Sequence, residues 1–260
     1  MNNTDAIMER RKDNGYYCWL EYGKLEDVEL KNIYRKWCAN IVKFGDTPLI
    51  KCAVKELIIG IENMLGISPE IVSIPIEPSF IAVGTLGQNP IIDKAVGENE
   101  QKDIMEDGFL IKNIKTEDKD YIVLTGINDK GVLYGVFSFL RLLRMQKDIR
   151  DIRKIENPYF QMRMLNHWDN MDGSVERGYA GQSIFWRNDN DSFVITEQDK
   201  KRWLEYARAD ASIGINGAVI NNVNASPKIL DSKTLQKVKS IADILRRYGI
   251  TTYLSVNFSS

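Results

Sequence analysis

Residues 159–168 read YFQMRMLNHW, and the order of the elements on their C-terminal side decides the fold. The run reads as a strand that ends in polar side chains, Asn166, His167 and Trp168. Further on, Thr196 with Asp199 three residues later has the form of a capping box, and the helix it opens ends near Gly214. INGAVINNVN, residues 215–224, is the next strand. Ser232 is placed to cap a second helix whose apolar positions are Leu235, Val238, Ile241, Ala242 and Leu245. Gly249 follows that helix, and ITTYLSVNFSS, residues 250–260, is a third strand. Strand, helix, strand, helix, strand implies parallel strands joined by helical crossovers.

Each of these strands is apolar for most of its length and turns polar at its C-terminal end. The first ends in Asn166, His167 and Trp168, the second in Asn221, Asn222 and Asn224, the third in Asn257. Polar groups at strand C-termini mark the active face of a (β/α)8 barrel or the crevice of an open α/β sheet. No glycine-rich phosphate loop comes after the first strand, which weighs against a nucleotide site and toward the barrel.

Upstream the rhythm differs. Leu25 to Phe44 carries Leu30, Ile33, Tyr34, Trp37 and Ile41 at helical spacing, and a second helix runs through Val54, Leu57, Ile58, Ile61 and Leu65 to Gly66. SFIAVGTL (79–86), DGFLIKNI (107–114) and DYIVLTGI (120–127) read as strands, the last two as a hairpin around a charged loop. DKGVLYGVFSFLRLLRM (129–145) is a helix that packs on the sheet. The charged stretch QKDIRDIRKIENP (146–158) is the best boundary, which sets an N-terminal α+β domain over residues 1–150 and the first part of a barrel over 151–260.

The chain has 260 residues, 43% hydrophobic and 27% charged, the balance of a globular protein. With 35 basic against 36 acidic residues there is no field to attract a polyanion, so nucleic acid is not an expected partner. No apolar run approaches the roughly 18 residues of a membrane span. Cys18, Cys38 and Cys52 lack metal or redox spacing and read as buried free thiols, and the polar opening MNNTDAIMERRKDN has no secretory apolar core. The expected compartment is the cytoplasm.

The stretch RMLNHWDNMDGSVERGYAGQSIFW, residues 163–186, holds the only histidine and the densest set of hydrogen-bonding groups. His167, Trp168, Asp169, Asn170, Asp172, Glu176 and Arg177 are too many polar groups to bury without partners. An indole face stacks on a pyranose ring while amide, carboxylate and imidazole groups bind hydroxyls, so a sugar suits this mixture. Arg177 offers a fork either to a ligand acid or to Asp169 or Asp172 within the loop. The spacing of Asp169, Asp172 and Glu176 matches no strong cation loop, and no metal is expected.

The string N-H-W-D-N-x-D-G-S-x-E-R-G-Y-A-G, with GVLYGVFSFLR upstream and GINGAVINNVNA and YLSVNFSS downstream, resembles the α-glucuronidases of glycoside hydrolase family 67. The resemblance implies an N-terminal α+β domain of the β-hexosaminidase kind followed by a (β/α)8 barrel. It also implies removal of (4-O-methyl-)glucuronic acid from xylo-oligosaccharides with inversion and without a cofactor, and a homodimer is among the assemblies open to the full-length protein. Inversion needs a carboxylic acid and a carboxylate roughly 6.5–9.5 Å apart. The resemblance assigns both to barrel segments beyond residue 260, so the expected chain is a portion with three of eight strands that holds pocket residues and no catalytic ones. The expected substrate-binding residues are His167, Trp168, Asp169, Asn170, Arg177, Asn221, Asn222, Asn224 and Asn257, with Val223 facing the 4-O-methyl group. Two alternatives stay open, a β-hexosaminidase-like hydrolase and a non-catalytic sugar-binding protein with a truncated barrel.

Overall fold

Among the described residues two β-sheets organise the chain, one of six strands and one of three. The computed structural model describes residues 15–74, 77–187, 194–224 and 226–257. The polar opening read for the absence of a leader, residues 1–14, lies outside them.

The first sheet is built from β1 (Asn40–Lys43), β2 (Glu70–Val72), β3 (Ile81–Thr85), β4 (Phe109–Lys115), β5 (Asp120–Gly126) and β6 (Arg153–Glu156) in the order β2-β1-β3-β5-β4-β6. β1, β2, β3 and β5 pair in parallel, and β4 pairs antiparallel with β5 and β6. Its helices are α1 (Val28–Cys38), α2 (Pro48–Leu65), the short α3 (Pro90–Ala95) and α4 (Glu98–Asp103), and α5 (Asp129–Arg144). Alternation along the strands sends Ile41, Ile81, Val83, Ile111, Ile122 and Leu124 toward α2 and α5. Val42, Ala82, Leu110 and Val123 go to the other face, against Ile92 and Ala95 of α3. Both faces are therefore dry. Gly60 of α2 lets α5 come close, since a Cβ there would run into the Leu140 side chain. Gly66 ends α2 at φ 67°, the left-handed cap that its position predicts.

The second sheet is β7 (Met164–Asn166), β8 (Gly217–Val219) and β9 (Thr251–Tyr253), parallel and in that order, with α6 (Glu197–Ser212) and α7 (Ser232–Leu245) as crossovers. Three parallel strands joined by two helical crossovers are what the alternation in the sequence implies. Thr196 and Asp199 form the capping box of α6. Ala218, Ile220, Trp203, Ala207 and Ile241 join the core that α2 and α5 share with the first sheet, so a single apolar cluster runs through both halves. A buried ion pair reinforces the junction: Arg208 of α6 donates through Nε to both oxygens of Glu56 of α2 at 3.0 and 2.9 Å, and Tyr248 donates to Glu56 at 2.6 Å.

Several expectations are corrected. The helical spacing read from Leu25 to Phe44 breaks at Cys38, and Ile41 lies in β1, where a period of two buries it beside α2. Ser232 is the first residue of α7, and Asp231 occupies the N-cap. The buried side of α7 is Thr234, Lys237, Ile241, Ile244 and Leu245, while Leu235 is 40% exposed, because Lys237 lays its stem inward with Nζ 5.2 Å from the Trp186 ring centroid. Cys18 is exposed, whereas Cys38 is buried and Cys52 half-buried. The charged stretch 146–158 contributes β6, whose pairing with β4 carries the first sheet as far as Glu156. Among the described residues no helix is long and apolar enough to cross a membrane.

Candidate functional site

The C-terminal ends of β7, β8 and β9 are tied into one ledge by backbone and amide hydrogen bonds. Asn222 donates its backbone N–H to Asp169 O at 2.7 Å, and its Oδ1 accepts from Asn224 N at 2.9 Å. Asn221, fully buried, grips Ser255 beyond β9 from both sides: Nδ2 donates to Ser255 O at 2.8 Å and Oδ1 accepts from Ser255 N at 2.9 Å. Side-chain amides thus continue the pairing of strands whose regular ladder is three residues long.

The loop after β7 is folded on its own polar groups. Asn170 donates to Ser174 Oγ at 3.0 Å and to Glu176 O at 2.8 Å. Asp172 accepts from the backbone N–H and the hydroxyl of Ser174 at 2.9 and 2.6 Å, which holds its carboxyl below the usual range. Glu176 sits at φ 58°, in the left-handed region that Gly173, Gly178 and Gly181 also occupy, and accepts from the Tyr179 hydroxyl at 2.9 Å. Asp169 is buried and accepts from the Ser183 hydroxyl, which itself receives the backbone N–H groups of Phe185 and Trp186 at 3.0 and 2.9 Å.

His167 turns away from the ledge into the layer under α6. Its backbone N–H donates to Val219 O at 2.9 Å, Nε2 lies 2.8 Å from Tyr206 Oη, and Nδ1 is 3.9 Å from Asp169 Oδ1. Burial lowers the imidazole pKa from its ordinary value and the Asp169 charge partly offsets this. Sequence reasoning missed Tyr206 and Asp210 behind it. Their i, i+4 spacing was the available signal. Burial pushes the Asp210 carboxyl up to about 6 and also raises the Tyr206 hydroxyl.

The groups that remain presented are fewer. Trp168 is 40% exposed, and its indole N–H has no hydrogen-bond partner among the described residues. Arg177 is exposed and makes no ion pair among them, so neither Asp169 nor Asp172 holds it. Val223 is 41% exposed and Asn224 is exposed beside it, while Asn257 is half-buried and already bonded. The strand register puts Met164, Gly217 and Thr251 on one side and Leu165, Ala218 and Thr252 on the other. Continued by alternation, it sends Trp168 to the face opposite His167. The arrangement presents an aromatic plane, an amide and a cation to solvent on a rigid base, which suits a hydroxylated, acidic ligand.

Residues 18–139 match the N-terminus of glycosyl hydrolase family 67 and residues 142–260 match its middle domain. A probable α-glucuronidase A of Aspergillus oryzae is 35% identical over 251 residues, 95% of this chain, and an α-glucuronidase of Hypocrea jecorina is 32% identical over 269 residues, 98% of the chain. The chain spans 28% and 30% of those relatives' lengths. Among solved structures, a family GH115 4-O-methyl-α-glucuronidase superposes on 82% of this chain, 28% of its own, with a TM-score of 0.52 at 17% identity. A GH138 enzyme targeting pectin rhamnogalacturonan II does so on 83% of this chain, 31% of its own, with a TM-score of 0.52 at 15% identity. At those identities the likeness is one of fold, an α+β domain leading into β/α units. With its two halves matched in order to the N-terminal and middle portions of one family, the chain belongs to glycoside hydrolase family 67.

Proposed function

We propose that this chain supplies the N-terminal domain and the first three β/α units of the (β/α)8 barrel of an α-glucuronidase that removes (4-O-methyl-)glucuronic acid from xylo-oligosaccharides in xylan breakdown. The observation that carries the reading is the ledge itself: an exposed indole, a guanidinium with no ion pair among the described residues, and exposed Val223 and Asn224 at the C-terminal ends of parallel strands in a chain of this family. In this reading Trp168 stacks on the sugar ring, Arg177 meets the uronate carboxylate and Val223 faces the methyl group. His167, Asp169, Asn170, Asn221 and Asn222 hold those groups in place, and Asn257 closes the third strand's end of the pocket.

The acids of the loop after β7 are poor candidates for the chemistry. A general acid must keep its proton near neutral pH, whereas Asp172 is held ionised by Ser174, and Asp169 is buried on Ser183. Glu176 is bonded to Tyr179. The reading therefore assigns acid and base to barrel strands beyond these three. It extends to a cytoplasmic location, which three unpaired thiols support, and to assembly as a homodimer of the whole enzyme.

The test is release of glucuronic acid from aldouronic oligosaccharides by the 260-residue chain and by a chain carrying a complete barrel. The complete barrel is expected to turn over and the 260-residue chain to be inactive. Turnover by the short chain would return Asp172 and Glu176 to consideration, and sugar binding without turnover by the long one would favour a non-catalytic binding protein.

A further inference from the structure

A cavity of about 320 Å3 lies where the two halves meet, beside Arg163 and Gly214 at the N-terminal ends of β7 and β8, so these strands separate it from the ledge. Its wall takes Tyr134, Ser138 and Arg141 from α5, Phe109 from β4, Pro158 from the connecting stretch and Ile213 from the turn before β8. Tyr134, Ser138 and Arg141 recur at i, i+4 and i+7, so they share one face of the helix. Tyr134 and Ser138 are 7% and 5% exposed.

Most of the polar capacity of this wall is already spent. Asp107 accepts from Asn128 at 3.0 Å and from Arg163 at 2.9 Å, and Glu156 faces Lys154 Nζ at 3.2 Å, so each acid has its own partner. Asn157 accepts from Met105 N and donates to Asp103 O, both at 2.8 Å. Ser212 accepts from the Trp19 indole at 2.7 Å and donates to Ala209 O at 2.6 Å. What is left over is donor capacity. Tyr134 Oη is buried and has no hydrogen-bond partner among the described residues. Ser138 Oγ accepts from Lys154 Nζ at 3.0 Å, and its own proton has no acceptor among them. Arg141 gives one N–H to Ser212 O at 3.0 Å and makes no ion pair among them.

Folded proteins leave few buried hydroxyls idle. A guanidinium with two such hydroxyls on the same helix face calls for a ligand that brings a negative charge and further acceptor oxygens. Phe109, Pro158 and Ile213 supply apolar contact for the rest of it, and the volume falls in the range, roughly 300–1,000 Å3, that takes a whole small molecule. We propose that this junction cavity binds a small hydroxylated carboxylate of hexuronic-acid size, with Arg141 on the carboxylate and Tyr134 and Ser138 donating to hydroxyl oxygens. Because α5 and β4 wall it on one side and the turn before β8 on the other, the bound ligand bridges the two halves and stabilises their docking. The ligand class is read from the cavity and does not rest on the function proposed above.

Glucuronate is the probe, since it carries both the carboxylate and the hydroxyls, with glucose and acetate as partial analogues. Titrated into the 15N-labelled 260-residue protein, glucuronate is expected to shift the backbone amides of Ser138, Arg141 and Gly214 and to raise Tm, while glucose and acetate do so weakly. Arg141→Ala should weaken this binding more than tenfold, and Tyr134→Phe, which removes an idle hydroxyl, about fivefold with no loss of Tm in the free protein. Tyr134→Phe is nearly isosteric and decides the matter if Arg141→Ala does not fold. Glucose or acetate binding as tightly as glucuronate overturns the ligand class. Absence of shifts at the three amides, or undiminished affinity in a natively folded variant, overturns the site. Shifts at the junction with none in residues 169–177 keep this inference and count against the function proposed above, whereas shifts in residues 169–177 alone do the reverse.

Discussion

In the six-stranded sheet all five residues of β3 are buried, whereas in the three-stranded sheet Asn166, Thr251 and Tyr253 stand exposed on one face. The first sheet is covered by helices on both sides, and its strands read as nearly unbroken apolar runs because each side chain, whichever way it points, meets another apolar group. Among the described residues the second has helices on one side only, and its strand ends are held by amides and backbone groups. Apolar burial thus sets the position of the first sheet, while directed hydrogen bonds set the geometry of the second sheet's ends. Damage to the two regions should register differently, as lost stability in one and lost recognition in the other.

The sharpest break is at the junction. Glu56→Ala leaves Arg208 as a buried cation without its partner and Tyr248 without its acceptor, so urea unfolding should show a loss of about 3–5 kcal/mol. Glu56→Gln retains an acceptor for both and should cost less. Equal losses in the two variants would mean that packing, and not the ion pair, carries the junction.

On the open face the expected outcome reverses. Under the proposed function, Trp168→Ala in the full-length protein should lower kcat/KM on the order of a hundredfold with little change in Tm, because the indole is 40% exposed and its N–H has no partner among the described residues. Unfolding of the variant with normal kinetics in the remaining native fraction would make Trp168 a packing residue like those of the first sheet.

A smaller effect belongs to the buried Asp210 under α6. Asp210 has a folded pKa of about 6, above the ordinary carboxylate value, so its neutral form is favoured in the native state. Its contribution is fully present below about pH 4 and is lost as pH rises through about 6. Asp210→Asn should therefore raise stability on the order of 2 kcal/mol at pH 7.5 and leave it unchanged near pH 4. His167 runs the other way, since its depressed pKa means that stability is lost as pH falls below about 6.5. With Asp210 replaced, that acid-side loss should become the visible one in thermal melts across pH 5–7. A variant whose Tm gain is independent of pH would show that the carboxyl is not ionised in the wild type.

Much of the fold was readable from local pattern. Hydrophobic period, caps and turn residues specify α2 with its Gly66 stop, the β4–β5 hairpin, the capping box at Thr196 and the alternation that makes β7, β8 and β9 parallel, because each of those signals lies within a few residues of the element it controls. The gathering of polar residues at strand ends was readable for the same reason. Tertiary contact decided the rest. Ile41 satisfies a helical period by coincidence and becomes a strand because β2 and β3 flank it. Lys237 is buried in place of Leu235 because a tryptophan from the loop after β7 lies above it. Glu56 and Arg208 are 152 residues apart, and no local signal pairs them. Which polar residues hold the ledge and which are offered to a ligand was settled in the same way: alternation assigns a face to Trp168 and His167, but only the arrival of α6, with Tyr206 and Asp210 on its inner side, turns one of those faces into a buried layer and leaves the other open.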